Sequence, residues 1–518
     1  MHVGIKLCSA GRKYGRIEAE RAVTAVTAKQ TVEQLLATIS ELTAAVARLS
    51  GEIESMRAQH AVEVDALQQR IAELSLALAL KQKRKDSHNS SMPPSSDGYR
   101  KSAPKSLKES SGRKPGGQAG HKGNGMKIVR EPDEVKEYLP SRCLGCPRQE
   151  ECARRVAETR YEYDLEIISR LAAHKVLACN CPLEGGQEIV GQFPAHITGT
   201  KQYGNKLKAT ALSLLTVGYV SVERVRQLLN ALGIPISGGT IQNMLTDCAA
   251  KVEDADSYIK HKVSTLKILN CDETGVRVGG KLRWAHCMCD GSWSYYAVHD
   301  KRGTEAMHDI QVLPNMEGGI LVHDFLRSYL NYWKVEHSFC NAHLMRELVY
   351  IHECYKENWA LELKKLLSEM CRTREKLKAA GLDAFPEKLL ESYLERYDAL
   401  VAEGILLNTP KPVKGRPPRK PKGPRWSLLV RFRDYKEQIL RFAFDWRVPF
   451  TNNEAERSIR FTKVKQKVSG CFRTMEGAQN FYRIMSYLSS AKKHGVACFD
   501  ALLDAVSGNA LPTVAAWA

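Results

Sequence analysis

The stretch that decides the fold is LKILNCDETGVRVGGKLRWAHCMCDGSWSYYAV, residues 266–298. It contains three short runs rich in β-branched, aromatic and other apolar residues, at 266–271, 282–289 and 293–298. Gly-Gly and Asp-Gly pairs stand between the runs, and such pairs favour tight hairpin turns. The pattern therefore predicts a meander of three consecutive strands, with Asp272 on the first of them.

A second acid follows another short strand. Residues 318–323 read GGILVH, an apolar run typical of a buried strand, and Asp324 comes directly after it. A helix is predicted at about 303–313, between the meander and this strand. We therefore expect Asp324 at the end of a fourth strand.

A third acid lies at the start of a predicted helix. In the segment PFTNNEAERSIR, Asn452 or Asn453 is a natural N-cap, because its side chain can accept a hydrogen bond from a free backbone amide. Both are counted as supporting residues. Glu456 then falls in or near the first turn, and Arg460 lies four residues further on the same face. The residues alone leave Glu454 and Glu456 both open as the third acid.

Three carboxylates on separate elements are what a two-metal phosphodiester enzyme requires. In such a site two Mg²⁺ or Mn²⁺ ions lie about 4 Å apart, one activating the attacking oxygen and the other stabilising the leaving oxygen. These hard cations prefer oxygen ligands, so Asp and Glu are the expected side chains. Acids on two strands and one helix, in this order, indicate an RNase H-like nucleotidyltransferase core.

Several longer motifs resemble those of one known family. They are DET at 272–274, DFLRSY at 324–329, CNAHLMREL at 340–348, VPFTNNEAERSIR at 448–460, the segment from KQKVSG to KKHG at 465–495, HNSSMPPSSDGYRK at 88–101 and GRKPGGQAGHKGNG at 112–125. By these motifs the chain resembles the transposases of the insertion sequence 66 family over roughly residues 85–505. The resemblance implies that Glu456, rather than Glu454, joins Asp272 and Asp324 as the third catalytic, Mg²⁺-binding acid.

The resemblance also implies an activity. Water would attack a phosphodiester at each end of the mobile element, and the freed 3′-hydroxyl would then attack target DNA, with no covalent protein intermediate. Two DNA ends require at least two protomers, and smaller proteins encoded by the same element are expected to assist. Two other functions remain open: an RNase H-like nuclease that only hydrolyses DNA, and a non-catalytic zinc and coiled-coil DNA-binding protein.

Four further residues are candidates close to the acids. His343 and Arg346 lie three residues apart in CNAHLMR and would share one helix face. Their role is open between supporting the core or a phosphate and acting directly in the chemistry. Arg457 and Arg460 would either pair with nearby acids or bind a DNA phosphate, for which the forked guanidinium is suited.

The charge of the chain favours a polyanionic partner. Lys and Arg number 77 against 58 Asp and Glu, a formal net charge of +19, and basic side chains bind nucleic acid partly by releasing counterions. Cations cluster at 81–85 and 411–425, although the second cluster also fits a solvated linker. The expected DNA-binding residues are Lys83, Arg84, Lys85, Arg113, Lys114, Arg416, Arg419, Lys420, Lys422, Arg457 and Arg460.

Hydropathy and the N-terminal sequence indicate where the protein acts. The sequence has no stretch of about 20 apolar residues, and its N-terminus lacks the compact apolar region of a signal peptide. We therefore expect no membrane partner. Together with the family resemblance, this predicts a cytoplasmic, nucleoid-associated bacterial protein.

The 15 cysteines include one group with the spacing of a structural zinc site. The predicted Zn²⁺ ligands are Cys143 and Cys146, which form a CxxC, and Cys179 and Cys181, which form a CxC. Two such pairs are the usual knuckles of a tetrahedral site. Related transposases carry a CxxC as the second pair, so the fourth ligand is open to Cys152 or His174. Buried free thiols are the alternative.

Residues 17–80 are rich in Ala, Leu, Glu, Gln and Arg and predict a coiled coil. Apolar residues alternate at spacings of three and four from Val32 to Met56, which is a heptad pattern. The register resumes at Val64 after one extra step of four, a stutter that locally unwinds a supercoil. We expect a homo-oligomer through this segment. The alternative is an amphipathic helix packed on its own chain.

The predicted fold class is multidomain α+β. The divisions that follow the coiled coil are 81–127, a basic flexible linker; 128–195, the zinc-binding module; 200–264, a helical, helix-turn-helix-like region; 265–495, an RNase H-like α/β catalytic domain with a helical insertion at about 345–445; and 496–518, a C-terminal tail. For the helical region, a bundle that braces the catalytic core is the alternative to DNA reading.

Overall fold

The computed structural model describes residues 10–82, 128–181, 187–409 and 423–517. The chain divides into two units, one built on the N-terminal helix and one that holds most of the remainder. The N-terminal helix, α1, spans Ala10–Gln82, as its composition of good helix formers favours. Its predicted heptad residues from Val32 to Met56 are 45–62 % exposed. Self-association through this apolar seam stays a prediction.

Regular structure is sparse in the described part of residues 128–195. It consists of two 3₁₀ turns, Ser141–Cys143 and Gln149–Glu151, and an antiparallel pair of strands, β1 (Ala178–Cys181) and β2 (Gln187–Val190). Apolar side chains such as Leu165, Ile168 and Leu171 are exposed. The segment therefore gains little stability from apolar burial.

Four helices lead directly into the central sheet. They are α2 (Asn205–Thr216), α3 (Val222–Ala231), α4 (Gly238–Lys251) and α5 (Glu253–Ser264). The Ser221 and Ser237 side chains cap α3 and α4 by accepting from backbone amides three residues on. Leu212, Val225 and Ile241 are buried in one core with residues of the sheet. These helices therefore pack against the sheet, as a bracing bundle would. DNA reading by the helices stays a prediction.

The central sheet has five strands, in the order β5-β4-β3-β6-β7. They are β3 (Ile268–Val278), β4 (Lys281–Cys289), β5 (Ser294–His299), β6 (Ile320–His323) and β7 (Glu336–Phe339). β3, β4 and β5 form the predicted antiparallel meander, whereas β6 and β7 run parallel to β3. Gly279 and Gly280 both have positive φ, as the tight turn between β3 and β4 requires.

Two elements of the meander region differ from the prediction. β3 continues seven residues beyond Cys271 because it pairs with β4 as far as the Gly-Gly turn, so Asp272 lies inside the strand. The helix expected at about 303–313 is shorter, α6 (Thr304–Ile310). Gln311 ends it in the left-handed conformation at φ 60°. A 3₁₀ turn at Leu313–Asn315 follows.

A helical segment separates β7 from the helix that carries Glu456. It consists of α7 (Asn341–Tyr355), α8 (Asn358–Ala379), α9 (Glu387–Asn408), α10 (Pro424–Asp434) and α11 (Lys436–Phe444). Its core includes the buried side chains of Trp359, Tyr397 and Phe432. The basic loop at 410–422 and the segment at 83–127 lie outside the described residues.

The chain then returns to the sheet with α12 (Asn453–Ile459), α13 (Phe461–Ser469) and α14 (Met475–Lys493). The Ser486 and Ser490 hydroxyls on α14 accept hydrogen bonds from β5 backbone amides at 3.0 and 3.1 Å. They satisfy donors that an edge strand would otherwise leave unpaired. Residues 496–518, predicted as a tail, instead contain α15 (Cys498–Ser507) and α16 (Ala510–Ala515), which are buried against α2 and α5.

Candidate active site

Asp272 and Asp324 lie on neighbouring parallel strands. β3 and β6 are paired up to Asn270 and Val322, so each acid follows the last aligned pair by two residues. The backbone amide of Glu273 donates to Asp272 Oδ1 at 2.9 Å, and that of Leu326 donates to Asp324 Oδ1 at 3.1 Å. These bonds orient the two carboxylates at the carboxyl edge of β6.

Glu456 reaches the same edge because the loop before α12 is tethered to β3 and to the end of β7. The Asn452 side chain donates to the backbone carbonyl of Cys271 at 2.6 Å, and its backbone amide donates to Cys340 Sγ at 3.2 Å. Asn452 stands at the N-cap position, but its side chain makes no capping bond. Asn453 is the exposed first residue of α12.

The two candidate acids of α12 have different surroundings. Glu456 Oε1 lies 3.7 Å from His343 Nε2 and 3.8 Å from Cys340 Sγ, whereas Glu454 Oε1 lies 2.9 Å from Lys493 Nζ on α14. The charges of Glu456 and Asp272, and of Asp324 and Glu456, are close enough to raise one another's pKa, so Glu456 shares an electrostatic environment with the two aspartates. Glu454 is compensated by a cation elsewhere.

Burial and mutual repulsion disfavour the charged forms of all three carboxylates. Burial, followed by the nearby Glu273, Asp324 and Glu456, raises the pKa of Asp272 well above its ordinary value. Burial raises the pKa of Asp324 to about 6, and it also raises the pKa of Glu456. A cation among them would favour the ionised forms, so this set of hard oxygen donors fits a divalent metal.

The three acids are spread more widely than the ligands of a single ion. Among the described residues they do not form a set whose ligand atoms all lie within 4.8 Å of one another. A site for two ions about 4 Å apart needs a wider span than a site for one ion. In the described part of the chain, the three acids therefore do not form one compact site for a single ion.

Glu273 was not identified from the sequence as a functional residue. Its side chain is fully buried, accepts from the Arg302 guanidinium at 2.6 Å and accepts from the Tyr329 hydroxyl at 2.8 Å. Successive side chains on a strand point to opposite faces, so Glu273 braces the sheet behind Asp272. The motifs DET and DFLRSY contain Glu273 and Tyr329, but nothing in them shows that the two side chains meet.

His343 and Arg346 lie on α7 beside Glu456. Burial lowers the pKa of His343 to about 3, so its imidazole is neutral at physiological pH. The nearby guanidinium of Arg346 opposes the rise in the pKa of Glu456. Within the described part of the chain, His343 Nδ1 and Arg346 Nε are buried without a hydrogen-bond partner.

A cavity of about 220 Å³ adjoins the acids. Its lining includes Arg302, Asp324, Phe339, Cys340, His343 and Arg431. The cavity therefore gives small groups access to one acid and to two residues that contact Glu456.

The chain is similar to known families in two regions. A family model described as "Transposase IS66 family" matches residues 200–480, more than half of the 518-residue chain. The chain belongs to this family. A second model, described as a family of unknown function (DUF6444), matches residues 12–127. No curated protein matches the chain.

The region matched to the IS66 family contains all three acids and their supporting residues. The predicted zinc module, residues 128–195, lies outside the matched region. In the described part of this IS66-family chain, none of the helices is long and apolar enough to cross a membrane.

The predicted zinc ligands whose side chains the structure describes do not come together. Among the described residues, no three of Cys143, Cys146, Cys152, Cys179 and His174 have ligand atoms within 4.8 Å of one another. Cys146, Cys152 and Cys179 are exposed free thiols, and Cys143 is half-buried. The position of the Cys181 side chain is not among those described. The zinc site therefore stays a prediction.

The predicted DNA-binding residues fall into two groups. Those in the segments 83–85, 113–114 and 416–422 lie outside the described residues. Arg457 and Arg460 are exposed, in α12 and directly after it. They put two solvent-facing cations in the same short helical segment as Glu456.

Proposed function

We propose that this IS66-family protein is a DNA transposase that cleaves the ends of an insertion sequence and joins the freed 3′-hydroxyls to target DNA. Asp272, Asp324 and Glu456 would hold two Mg²⁺ or Mn²⁺ ions. The observation that carries the proposal is the meeting of acids from β3, β6 and α12 within a region that matches a transposase family.

Bound ions would activate the attacking oxygen and stabilise the leaving oxygen of the phosphodiester. The protein contributes the orientation of the acids. Backbone amides hold Asp272 and Asp324, and Asn452 keeps the start of α12 against β3. The exposed Arg457 and Arg460 would bind DNA phosphate, to which an arginine can donate two parallel hydrogen bonds.

The sheet supports an RNase H-like assignment of the catalytic core. Three antiparallel strands, β5-β4-β3, are followed by two strands parallel to β3. Two of the acids lie on the adjacent central strands β3 and β6 or directly after them. The five helices from α7 to α11 stand between the second and third acids, as an inserted helical subdomain would.

Other parts of the protein would assist in holding DNA. The exposed apolar side chains of residues 128–195 support a module stabilised by zinc, since small domains without a large core commonly use a metal. The exposed seam of α1 supports a homo-oligomer that holds two DNA ends. We further propose accessory proteins of the same element as partners, and action on DNA in the bacterial cytoplasm.

The catalytic part is tested by comparing Glu456→Ala with Glu454→Ala, a matched control two residues away. The full-length protein is incubated with Mg²⁺ and a labelled duplex carrying the inverted repeats that flank its gene. Loss of a metal ligand removes several kcal/mol of transition-state stabilisation. We expect cleavage by Glu456→Ala to slow by roughly 1000-fold or more, since about 1.4 kcal/mol corresponds to tenfold. DNA binding should persist because it depends mainly on basic contacts.

Glu454→Ala should stay within about tenfold of the wild-type rate, because Glu454 pairs with Lys493 rather than with the other acids. Equal losses in the two variants, or the reverse order, would remove Glu456 from the triad. Cleavage without any joined product would instead identify a nuclease, and metal-independent binding alone would identify a non-catalytic DNA-binding protein.

A further inference from the structure

A thiol, an imidazole and a carboxylate converge next to the proposed catalytic acids. Cys340 directly follows β7, His343 lies in the first turn of α7, and Glu456 comes from α12. One ligand atom from each of these side chains lies within 4.8 Å of the other two. In the described part of the chain, this is the one group of three or more such residues with that spacing.

The two distances from Glu456 Oε1 in this cluster are slightly longer than those between ligand atoms around a metal. With Zn–S near 2.3 Å and Zn–N or Zn–O near 2.0–2.2 Å, ligand atoms on a tetrahedral zinc stand roughly 3.3–3.6 Å apart. Glu456 Oε1 lies 3.7 Å from His343 Nε2 and 3.8 Å from Cys340 Sγ. An N···O separation of 3.7 Å is too long for a hydrogen bond. Small movements of the side chains would place an ion between the three atoms.

The donor types select the ion. Thiolate and imidazole favour Zn²⁺, and Co²⁺ as its spectroscopic substitute, over Mg²⁺. Three protein ligands leave a fourth position for water, as in accessible zinc sites. The cavity of about 220 Å³ is lined by both Cys340 and His343, which gives an ion a route to the cluster.

A purely structural role explains only part of the cluster. Cys340 Sγ accepts the backbone amide of Asn452 at 3.2 Å, which fixes the loop before α12, and the Cys340 thiol donates to Glu456 Oε1 at 3.8 Å. These two bonds account for the buried sulfur. They do not account for His343, whose Nε2 faces Glu456 beyond hydrogen-bond distance.

We propose that Cys340, His343 and Glu456 form a binding site for a thiophilic divalent cation such as Zn²⁺, and that an ion held there withdraws Glu456 from the catalytic set. On binding, the Cys340 S–H bond is replaced by a metal–sulfur bond and the proton passes to solvent. The binding claim stands on the cluster alone. The inhibitory consequence rests on the proposed function.

Binding is tested with Co²⁺ on the full-length protein, because tetrahedral cobalt–thiolate sites absorb characteristically in the near-ultraviolet and visible. Wild type is compared with Cys340→Ser, which keeps an acceptor for the Asn452 amide, and with His343→Gln. Cys248→Ser is the control, since Cys248 is a buried thiol on α4 outside the cluster. Subtracting each variant's spectrum from that of wild type removes the absorption of any cobalt bound by the cysteines of residues 143–181.

We expect wild type and Cys248→Ser to bind one more cobalt ion than Cys340→Ser. His343→Gln should bind that ion more weakly by at least the roughly 10- to 100-fold that follows loss of an outer-shell partner. Equal cobalt stoichiometry and equal thiolate absorption in wild type and Cys340→Ser would overturn the site. Circular dichroism confirms that each variant is folded before the comparison.

The inhibitory consequence is measured as the Zn²⁺ concentration that halves Mg²⁺-dependent cleavage, relative to each variant's own zinc-free rate. We expect that concentration to rise at least tenfold in Cys340→Ser and to stay unchanged in Cys248→Ser. Equal inhibition of Cys340→Ser and wild type would overturn this consequence. Cobalt binding through Cys340 in a protein without Mg²⁺-dependent cleavage would refute the proposed function while upholding the site.

Discussion

Removing Arg302 should destabilise the catalytic unit far more than removing an arginine from a surface ion pair. The Glu273 side chain is fully buried, and its charge is compensated by the Arg302 guanidinium at 2.6 Å, whose own side chain is 40 % exposed. The guanidinium also lies 4.9 Å from the centre of the Trp284 ring. Arg302→Ala would leave the buried carboxylate with the Tyr329 hydroxyl as its remaining side-chain partner shown by the structure.

The magnitude follows from this burial. Breaking a buried ion pair on one side costs about 3–5 kcal/mol, because an uncompensated charge is left behind. Since Arg302 is partly exposed, water can enter the vacated space, and we expect about 3 kcal/mol, the lower end of that range. The control is Arg226→Ala. Arg226 pairs with Glu223 at 2.5 Å, but the two side chains are 35 % and 58 % exposed, so the expected loss is about 0–1 kcal/mol.

The assay is urea unfolding followed by tryptophan fluorescence, with the midpoint and slope fitted for the transition of the catalytic unit. The double variant Arg302→Ala/Glu273→Gln should be more stable than Arg302→Ala, because the glutamine amide at position 273 has no charge that would be left buried and unpaired. If Arg302→Ala costs no more than Arg226→Ala, Glu273 is not a compensated buried charge, and the bracing role assigned to it is wrong.

Two other predictions concern stability and assembly. Burial raises the pKa of Asp256 from 3.8 to about 7, so the folded protein holds this proton more tightly than the unfolded chain does. The resulting stability is present at low pH and is lost as the pH rises through 7. The loss amounts to about 2–3 kcal/mol of the free energy of unfolding between pH 5 and pH 8. In urea unfolding, the free energy of unfolding of Asp256→Asn should therefore fall between these pH values by that much less than the wild-type value does. An equal fall in the two proteins would contradict the raised pKa of Asp256. A chain that begins near Ser87, without α1, should be monomeric or more weakly associated by light scattering, because the exposed seam would be strongly unfavourable in water without a partner. An unchanged oligomeric state in the absence of DNA would show that α1 does not mediate assembly.

The sequence determined the local elements that carry the acids. Alternating apolar runs and Gly-Gly or Asp-Gly turns specify the meander, because strand period and hairpin turns depend on neighbouring residues. The Gly-Gly-Ile-Leu-Val-His run likewise specified the strand before Asp324, and the structure has β6 there. Composition and the heptad spacing of apolar residues specified the long helix α1.

Tertiary structure decided how those elements meet. Glu454 and Glu456 both lie in the first turn of α12, and local pattern could not separate them. Their surroundings differ through long-range contacts: Glu454 pairs with Lys493 from α14, whereas Glu456 lies beside Cys340 after β7 and His343 on α7. Asn452 satisfies the local rule for an N-cap, yet its side chain binds the carbonyl of Cys271 instead. A long-range contact replaced the local one.

The same reason explains the remaining differences. The pair formed by Glu273 and Arg302, the burial of α15 and α16, and the cluster of Cys340 and His343 with Glu456 all join residues distant in the sequence. Residue spacing reports only which side chains share a strand face or a helix face. Whether two such faces come together depends on the packing of the whole core, so these contacts became visible only in the folded chain.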